Sequence, residues 1–165
     1  MDFILRKWTT RDLESLVKHA NNLKIARNMS NAFPYPYTVK FGHRYITKAI
    51  TIKPTQIFAI AIDNEAVGSI GVYPQTDIHC RNAEMGYWLA EPYWGQGIIT
   101  EAIRQMVVYS FNALNIDRIF ARPFGSNIAS QRVLEKAGFI LEAKFEKTIF
   151  KNGEYLDELF YAIRK

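Results

Sequence analysis

The stretch Gly95-Gln96-Gly97-Ile98-Ile99-Thr100 has the residue types and spacing of an anion site. Glycines permit positive φ and close approach of a ligand to the backbone, and the first amides of a following helix lack internal partners and carry the positive end of its dipole. A pyrophosphate fits such a place. The tripeptide Gly95-Gln96-Gly97 alone reads equally well as an ordinary glycine-rich turn. It lacks the third glycine of a dinucleotide fingerprint, and the chain has no Gly-Lys-Ser/Thr of a P-loop, so those two nucleotide readings fall. Upstream, Glu84, Gly86 and Trp88 alternate along a presumed strand, which puts a carboxylate and an aromatic on one face. Downstream, Asn127 and Ser130 stand one helical turn apart and can face the same way. Each also has a local reading, since Asn is a preferred helix cap and serine is tolerated in a first turn. The single cysteine, Cys80, cannot form an internal disulfide and nothing around it marks it as activated; His19, His43 and His79 show no paired metal-ligand spacing, so no metal is expected.

The elements that must position these groups follow from periodicity. Phe3 to Lys7 reads as a first strand, and the hydroxyls of Thr9-Thr10 cap a helix carrying Leu13, Leu16 and Val17. Pro34 and Pro36 prevent a helix through Phe33-Pro34-Tyr35-Pro36-Tyr37 and leave an aromatic loop able to wall a pocket. A second helix covers Val39 to Thr51. Phe58, Ile60 and Ile62 alternate, and Asp63-Asn64-Glu65 turns the chain into a strand from Ala66 to Tyr73, a β-hairpin. A strand from Ala83 to Leu89 leads through glycines into a helix from Gly97 to Leu114. Arg118 to Arg122 is a strand, Ile128 to Ala137 a helix closed by Gly138, and Lys151-Asn152-Gly153-Glu154 a tight turn between two last strands. The expected architecture is α/β (α+β): a single mixed, mostly antiparallel central sheet of about seven strands flanked by about four helices.

With 165 residues, 48% of them apolar and 22% charged, the chain suits one globular domain spanning 1–165. No apolar run approaches the roughly 20 residues of a membrane helix, and Met1-Asp2-Phe3 begins without a basic region or cleavage site, so a cytoplasmic protein with no membrane partner is expected. The net charge of +5 favours anionic partners, but its Lys and Arg are scattered, which suits a mixed solvated surface and the phosphates of a cofactor better than a nucleic-acid face.

Two clusters taken together go further: Glu84-Met85-Gly86-Tyr87-Trp88 with Tyr93-Trp94-Gly95-Gln96-Gly97, and Asn127-Ile128-Ala129-Ser130 running to Lys136-Ala137-Gly138-Phe139. They resemble the GCN5-related N-acetyltransferase (GNAT) superfamily, and within it the RimJ/RimL branch of ribosomal-protein N-terminal acetyltransferases. The resemblance runs from about Phe3 to the end of the chain. It implies the GNAT fold, acetyl-coenzyme A as cosubstrate, Trp88 and Leu89 beside pantetheine and acetyl group, and the amides of Gly95, Gln96, Gly97, Ile98, Ile99 and Thr100 around the pyrophosphate. It further implies that Asn127 contacts the pantetheine arm while capping its helix. Trp94 and Ile99 depart from the broad superfamily pattern, Trp94 in a way familiar in the branch.

The resemblance also implies direct acetyl transfer to an amine in a ternary complex, with a protein N-terminal α-amine favoured as acceptor. Such transfer needs a neutral amine, a proton acceptor, and a donor for the leaving thiolate. Glu84 is the candidate base, directly or through water, against a reading as a strand-edge carboxylate paired with a surface cation. The superfamily's usual acid, a tyrosine seven positions after the asparagine, is Leu134 here, which moves the thiolate role to Ser130. Phe33, Tyr35 and Tyr37 resemble the acceptor-side wall, against a reading as satellite core. Transfer to a small amine (polyamine, amino acid or antibiotic), a coenzyme-A-binding sensor without turnover, and a homodimeric assembly all stay open.

Overall fold

The computed structural model describes residues 2–165. In chain order it contains β1 (Ile4–Lys7), α1 (Leu13–Ala20), α2 (Leu23–Ala26), α3 (Val39–Thr51), β2 (Ile57–Ile62), β3 (Glu65–Pro74), β4 (Asn82–Leu89), α4 (Ile98–Ala113), β5 (Arg118–Ala121), α5 (Ile128–Lys136), β6 (Ile140–Lys151) and β7 (Glu154–Arg164). Short 3-10 turns occupy Thr10–Asp12, Asp77–His79 and Glu91–Tyr93. Among the described residues the strands form one seven-stranded sheet in the order β1-β2-β3-β4-β5-β7-β6. β1/β2, β2/β3, β5/β7 and β6/β7 pair antiparallel and β4/β5 pair parallel. The expected mixed, mostly antiparallel sheet is therefore present, and its parallel pair is the one joined through a long helix, as a parallel crossover requires. The sequence reading passes over α2, a single helical turn too short to show periodicity.

The described residues fall into two compact units, 2–71 with Gly86–Ala102 and Val72–Met85 with Ile103–Lys165. In the first, α3 starts at Thr38, whose hydroxyl oxygen accepts the Phe41 amide, and buries Gly42, Ile46 and Ala49 along one stripe. Gly42 is set by packing: a Cβ there would lie 2.8 Å from Leu13 Cδ1 and 3.1 Å from Val17 Cγ2, so its absence lets α1 and α3 approach. Thr9 does not cap α1 directly. Its amide and hydroxyl donate to the Asp12 carboxylate at 2.8 and 2.9 Å, and Arg6 clamps the same carboxylate at 2.7 and 2.9 Å, so a 3-10 turn precedes the helix. β2, apart from the half-buried Phe58, and the middle of β3 are buried residue after residue, the pattern of central strands covered on both faces. They join through Asp63 (φ 48°) and Asn64 (φ 68°), a two-residue turn of the I′ kind.

In the second unit, α5 ends as the sequence leads one to expect. Gly138 has φ 94°, its amide donates to Glu135 O at 3.0 Å, and the Phe139 amide reaches back to Leu134 O at 3.0 Å, closing a Schellman motif over two buried side chains, Phe139 and Leu134. Asn152 (φ 51°) and Gly153 (φ 80°) make the tight β6–β7 turn. β6 forms the sheet edge and is largely exposed. Register shifts at Leu141/Ala143 and Phe145/Ile149 break its ladder, which blunts the edge against further strand pairing.

Candidate active site

The first unit carries the glycine turn. β4 ends in the buried pair Trp88 and Leu89, and the backbone then folds through the Glu91–Tyr93 turn, with Pro92 near its start. Trp94 Nε1 donates to Leu89 O at 2.7 Å and Gln96 Nε2 donates to Pro92 O at 3.1 Å, so the side chains on both sides of Gly95 pin the loop back onto itself. Gly95 and Gly97 have φ of 74° and 78°, and a Cβ at either position would meet nothing within 4 Å. Glycine is needed at both positions for the backbone angle, and the space beside them is open. The Glu101 amide makes the first α4 bond, to Gly97 O at 3.2 Å, so the amides of Ile98, Ile99 and Thr100 precede the helical ladder. Ile98, Thr100 and Ala102 are buried, which fixes the helix start from below. Backbone amides in a positive-φ turn that opens a helix can form an anion-binding concavity whatever the side chains are.

Behind this turn β3 comes close to β4. The Ala90 amide donates to Val67 O at 2.8 Å, and a Cβ on Gly68 would lie 2.6 Å from Trp88 O. Burial alternates from Asn82 to Gly86, then breaks: Tyr87 is half-buried while Trp88 and Leu89 are both buried. The alternation of burial along β4 thus ends before Trp88.

The aromatic loop divides. Phe33 packs on Tyr37 (ring centroids 5.1 Å apart) and edge-on against Trp88 (6.0 Å), whereas Tyr35 is 51% exposed. Tyr37 is 5% exposed, and burial pushes its phenol up to about 12, so it is neutral at physiological pH. The Tyr37 amide donates to Asn21 Oδ1 at 3.0 Å. Next to Asn21, Asn22 caps α2 by accepting the Lys24 amide at 2.8 Å and donates through Nδ2 to Glu91 Oε2 at 2.9 Å, while Lys24 Nζ pairs with Glu91 Oε1. Those two partners, Lys24 foremost, hold the Glu91 carboxyl below its usual range. No motif in the sequence marks this network; only the pair of adjacent asparagines, both good caps, hints at it.

The second unit carries the polar candidates. Arg122 grips Glu84 with both arms, Nε to Oε1 at 2.8 Å and Nη2 to Oε2 at 3.1 Å. Arg122 Nη1 also lies 3.4 Å from Glu158 Oε1, and its guanidinium sits 5.8 Å from the Phe160 ring centroid. The bond to Glu84 raises the Arg122 guanidinium above its ordinary value. Arg122 escapes sequence reasoning because it stands 38 residues from Glu84 and meets it only through the parallel β4/β5 register, in which Glu84 lies opposite Phe120. Asn127 caps α5, its Oδ1 accepting the Ser130 amide at 3.2 Å, so the two residues are brought together as the spacing predicts. Gln131 Nε2 bonds Phe124 O at 3.3 Å and Gly125 O at 3.0 Å and fixes the loop leading in. Leu134 is fully buried, so an apolar core side chain stands where the superfamily's acid would be.

Residues 2–140 match the family model described as the acetyltransferase (GNAT) domain. The chain is similar to the uncharacterized N-acetyltransferase YoaA of Bacillus subtilis, at 31% identity over 98% of this chain and 93% of that protein. Two other Bacillus subtilis relatives match over 62% of this chain, which spans only 56% and 57% of their length. Among solved structures the chain is similar to RimL, a ribosomal L7/L12 α-N-protein acetyltransferase in complex with coenzyme A (TM-score 0.85, 21% identity, covering 98% of this chain and 93% of that one). It is also similar to the spermidine N-acetyltransferase from Vibrio cholerae in complex with CoA and spermine (TM-score 0.82, 24% identity, covering 98% and 95%). At those identities the two structures establish a shared fold. The family model covers most of the chain and establishes more: this chain belongs to the acetyltransferase (GNAT) family of N-acetyltransferases.

Proposed function

We propose that residues 1–165 act as one RimJ/RimL-like acetyltransferase domain that moves an acetyl group from acetyl-coenzyme A directly to a protein N-terminal α-amine. The residues present fit that cosubstrate. The turn at Gly95 and Gly97 offers open space and backbone amides to a pyrophosphate, and Trp88 and Leu89 lie on the strand leading into it. Acetyl-coenzyme A supplies an activated thioester; the protein supplies alignment, a proton acceptor and a donor for the leaving sulfur. The amine nitrogen forms its bond to the carbonyl carbon as the carbon–sulfur bond breaks, and the amine proton passes by way of water toward Glu84. The Ser130 hydroxyl donates a hydrogen bond to the departing thiolate. Asn127 keeps its amide oxygen on the helix cap and offers its Nδ2 end to the pantetheine.

One observation carries the choice of amine: both oxygens of Glu84 are held by Arg122. A carboxylate has about four lone-pair sites. With two taken by a guanidinium, Glu84 can accept a bond from a water but is poorly disposed to strip a strongly basic amine. An α-amine, with an ordinary pKa of about 8, is substantially neutral at physiological pH; a lysine-type amine near 10.4 is not. Thiol release from acetyl-coenzyme A tests the reading, with peptides bearing a free α-amine, the same peptides N-blocked but containing lysine, and spermidine as acceptors. Turnover with the free-α-amine peptides is expected. Turnover with spermidine alone would replace this reading with the small-amine one, and tight coenzyme A binding without transfer to any amine would replace it with a sensor.

A further inference from the structure

We infer that Asn21, Asn22 and Glu91 form a clamp that couples the aromatic loop at residues 33–37 to the glycine turn at residues 95–97, so that coenzyme binding in the turn tightens the acceptor side. The inference rests on the cofactor and acceptor roles proposed above. All of its parts lie within the first unit. At one end, Asn21 Oδ1 holds the Tyr37 amide at 3.0 Å. At the other, Asn22 Nδ2 holds Glu91 Oε2 at 2.9 Å and Lys24 holds Glu91 Oε1. Glu91 starts the 3-10 turn that Trp94 closes, the Trp94 amide donating to Glu91 O at 3.1 Å, and Trp94 and Gln96 then flank Gly95. A second path joins the same segments through packing, Tyr37 on Phe33 and Phe33 on Trp88.

The geometry suits transmission of position better than stabilisation. Lys24 and Glu91 are both well exposed, and an exposed ion pair contributes little to stability. Yet the Glu91 carboxylate is held from two directions, and one of its partners is the side chain that caps α2 and neighbours the residue holding Tyr37. A shift of the Glu91 turn on ligand binding thus passes through Asn22 to the Asn21–Tyr37 bond. Glu91, Asn22 and Asn21 are positioning residues in this scheme.

The Tyr37 amide is the reporter, because its hydrogen exchange measures the Asn21 bond directly and needs no catalysis. In the wild type, saturating coenzyme A should slow exchange at Tyr37 by about fivefold or more, the lower range of ordinary site-to-site coupling, and should protect amides at residues 95–100. In Glu91→Ala the slowing at Tyr37 should vanish while protection at residues 95–100 persists and the melting temperature hardly moves. The acceptor KM should then rise several-fold with kcat nearly unchanged. Glu91→Gln, which keeps an oxygen for Asn22, should restore the slowing. Asn22→Ala breaks the same link from the other side and should reproduce Glu91→Ala if the latter fails to fold. Protection at residues 95–100 without any change at Tyr37 in the wild type overturns the clamp and leaves the cofactor reading standing, as does slowing that survives Glu91→Ala or Asn22→Ala. Failure of coenzyme A to bind overturns the cofactor reading, and the clamp with it.

Discussion

Replacing Gly97 by alanine isolates the backbone contribution to coenzyme binding. The new methyl would meet nothing within 4 Å, so no packing clash confuses the result, and the cost arises from φ 78° alone. An L-residue in left-handed conformation costs about 1–2 kcal/mol. If the turn keeps its angle, that cost falls on stability. If it relaxes to negative φ, the amides turn away and the ligand must restore them, so the same cost appears as a coenzyme A Kd about 5- to 30-fold higher. Titration calorimetry with coenzyme A, paired with thermal unfolding in its presence and absence, measures both parts. Gln96→Ala is the control, since it removes only the bond to Pro92 O and should change Kd less than about threefold, the scale of one modest hydrogen bond. If Gly95→Ala and Gly97→Ala both bind coenzyme A within twofold of wild type, the turn is an ordinary loop and the anion-site reasoning is wrong.

Ser130→Ala should lower kcat by about 10²-fold, the scale of one lost transition-state donor, with coenzyme A affinity intact; equal loss of affinity and rate would point to a cap defect at α5 instead. Glu84→Gln should slow transfer to an α-amine, read as kcat/KM with a free-α-amine peptide, and an unchanged kcat/KM would remove Glu84 from proton transfer. Gly68→Ala brings a Cβ to 2.6 Å from Trp88 O and should destabilise by about 1–3 kcal/mol, measured by denaturant unfolding, because one of two strands must move. The Asp12 carboxyl is raised by burial but lowered more strongly by Arg6 and Thr9, so it sits below its ordinary value. It therefore contributes stability that is full above the ordinary carboxylate pKa and is lost as pH falls through the folded value. Asp12→Asn should flatten that acid limb of the stability profile.

The elements written in local pattern were legible before the fold was known. α3 has the predicted bounds, Val39–Thr51, because Thr38 caps it and Gly42, Ile46 and Ala49 repeat at helical spacing. α4 and α5 lie within a residue of expectation, for the same reason and because Gly138 ends α5 in a motif that needs a positive φ. Both hairpin turns announce themselves in residues that tolerate left-handed angles. The glycine turn and the Asn127–Ser130 cap are equally local. Each depends on groups within about one helical turn of one another, and chain connectivity alone keeps those groups together.

Contacts between distant residues were settled by the fold. Arg122 on Glu84 depends on strand register across a parallel crossover, Asn22 on Glu91 spans 69 residues, and Asn21 on Tyr37 spans 16. The sequence could present Glu84 as a base or as one half of an ion pair, and only the register of β4 against β5 supplied the partner. It likewise named Phe33, Tyr35 and Tyr37 as one group, whereas packing buried Tyr37, leaned Phe33 on Trp88 and left Tyr35 in solvent. The division has a physical cause: propensity, capping and turn chemistry act over a few residues, while ion-pair partners and burial are properties of surfaces that meet only when strands pair and helices pack.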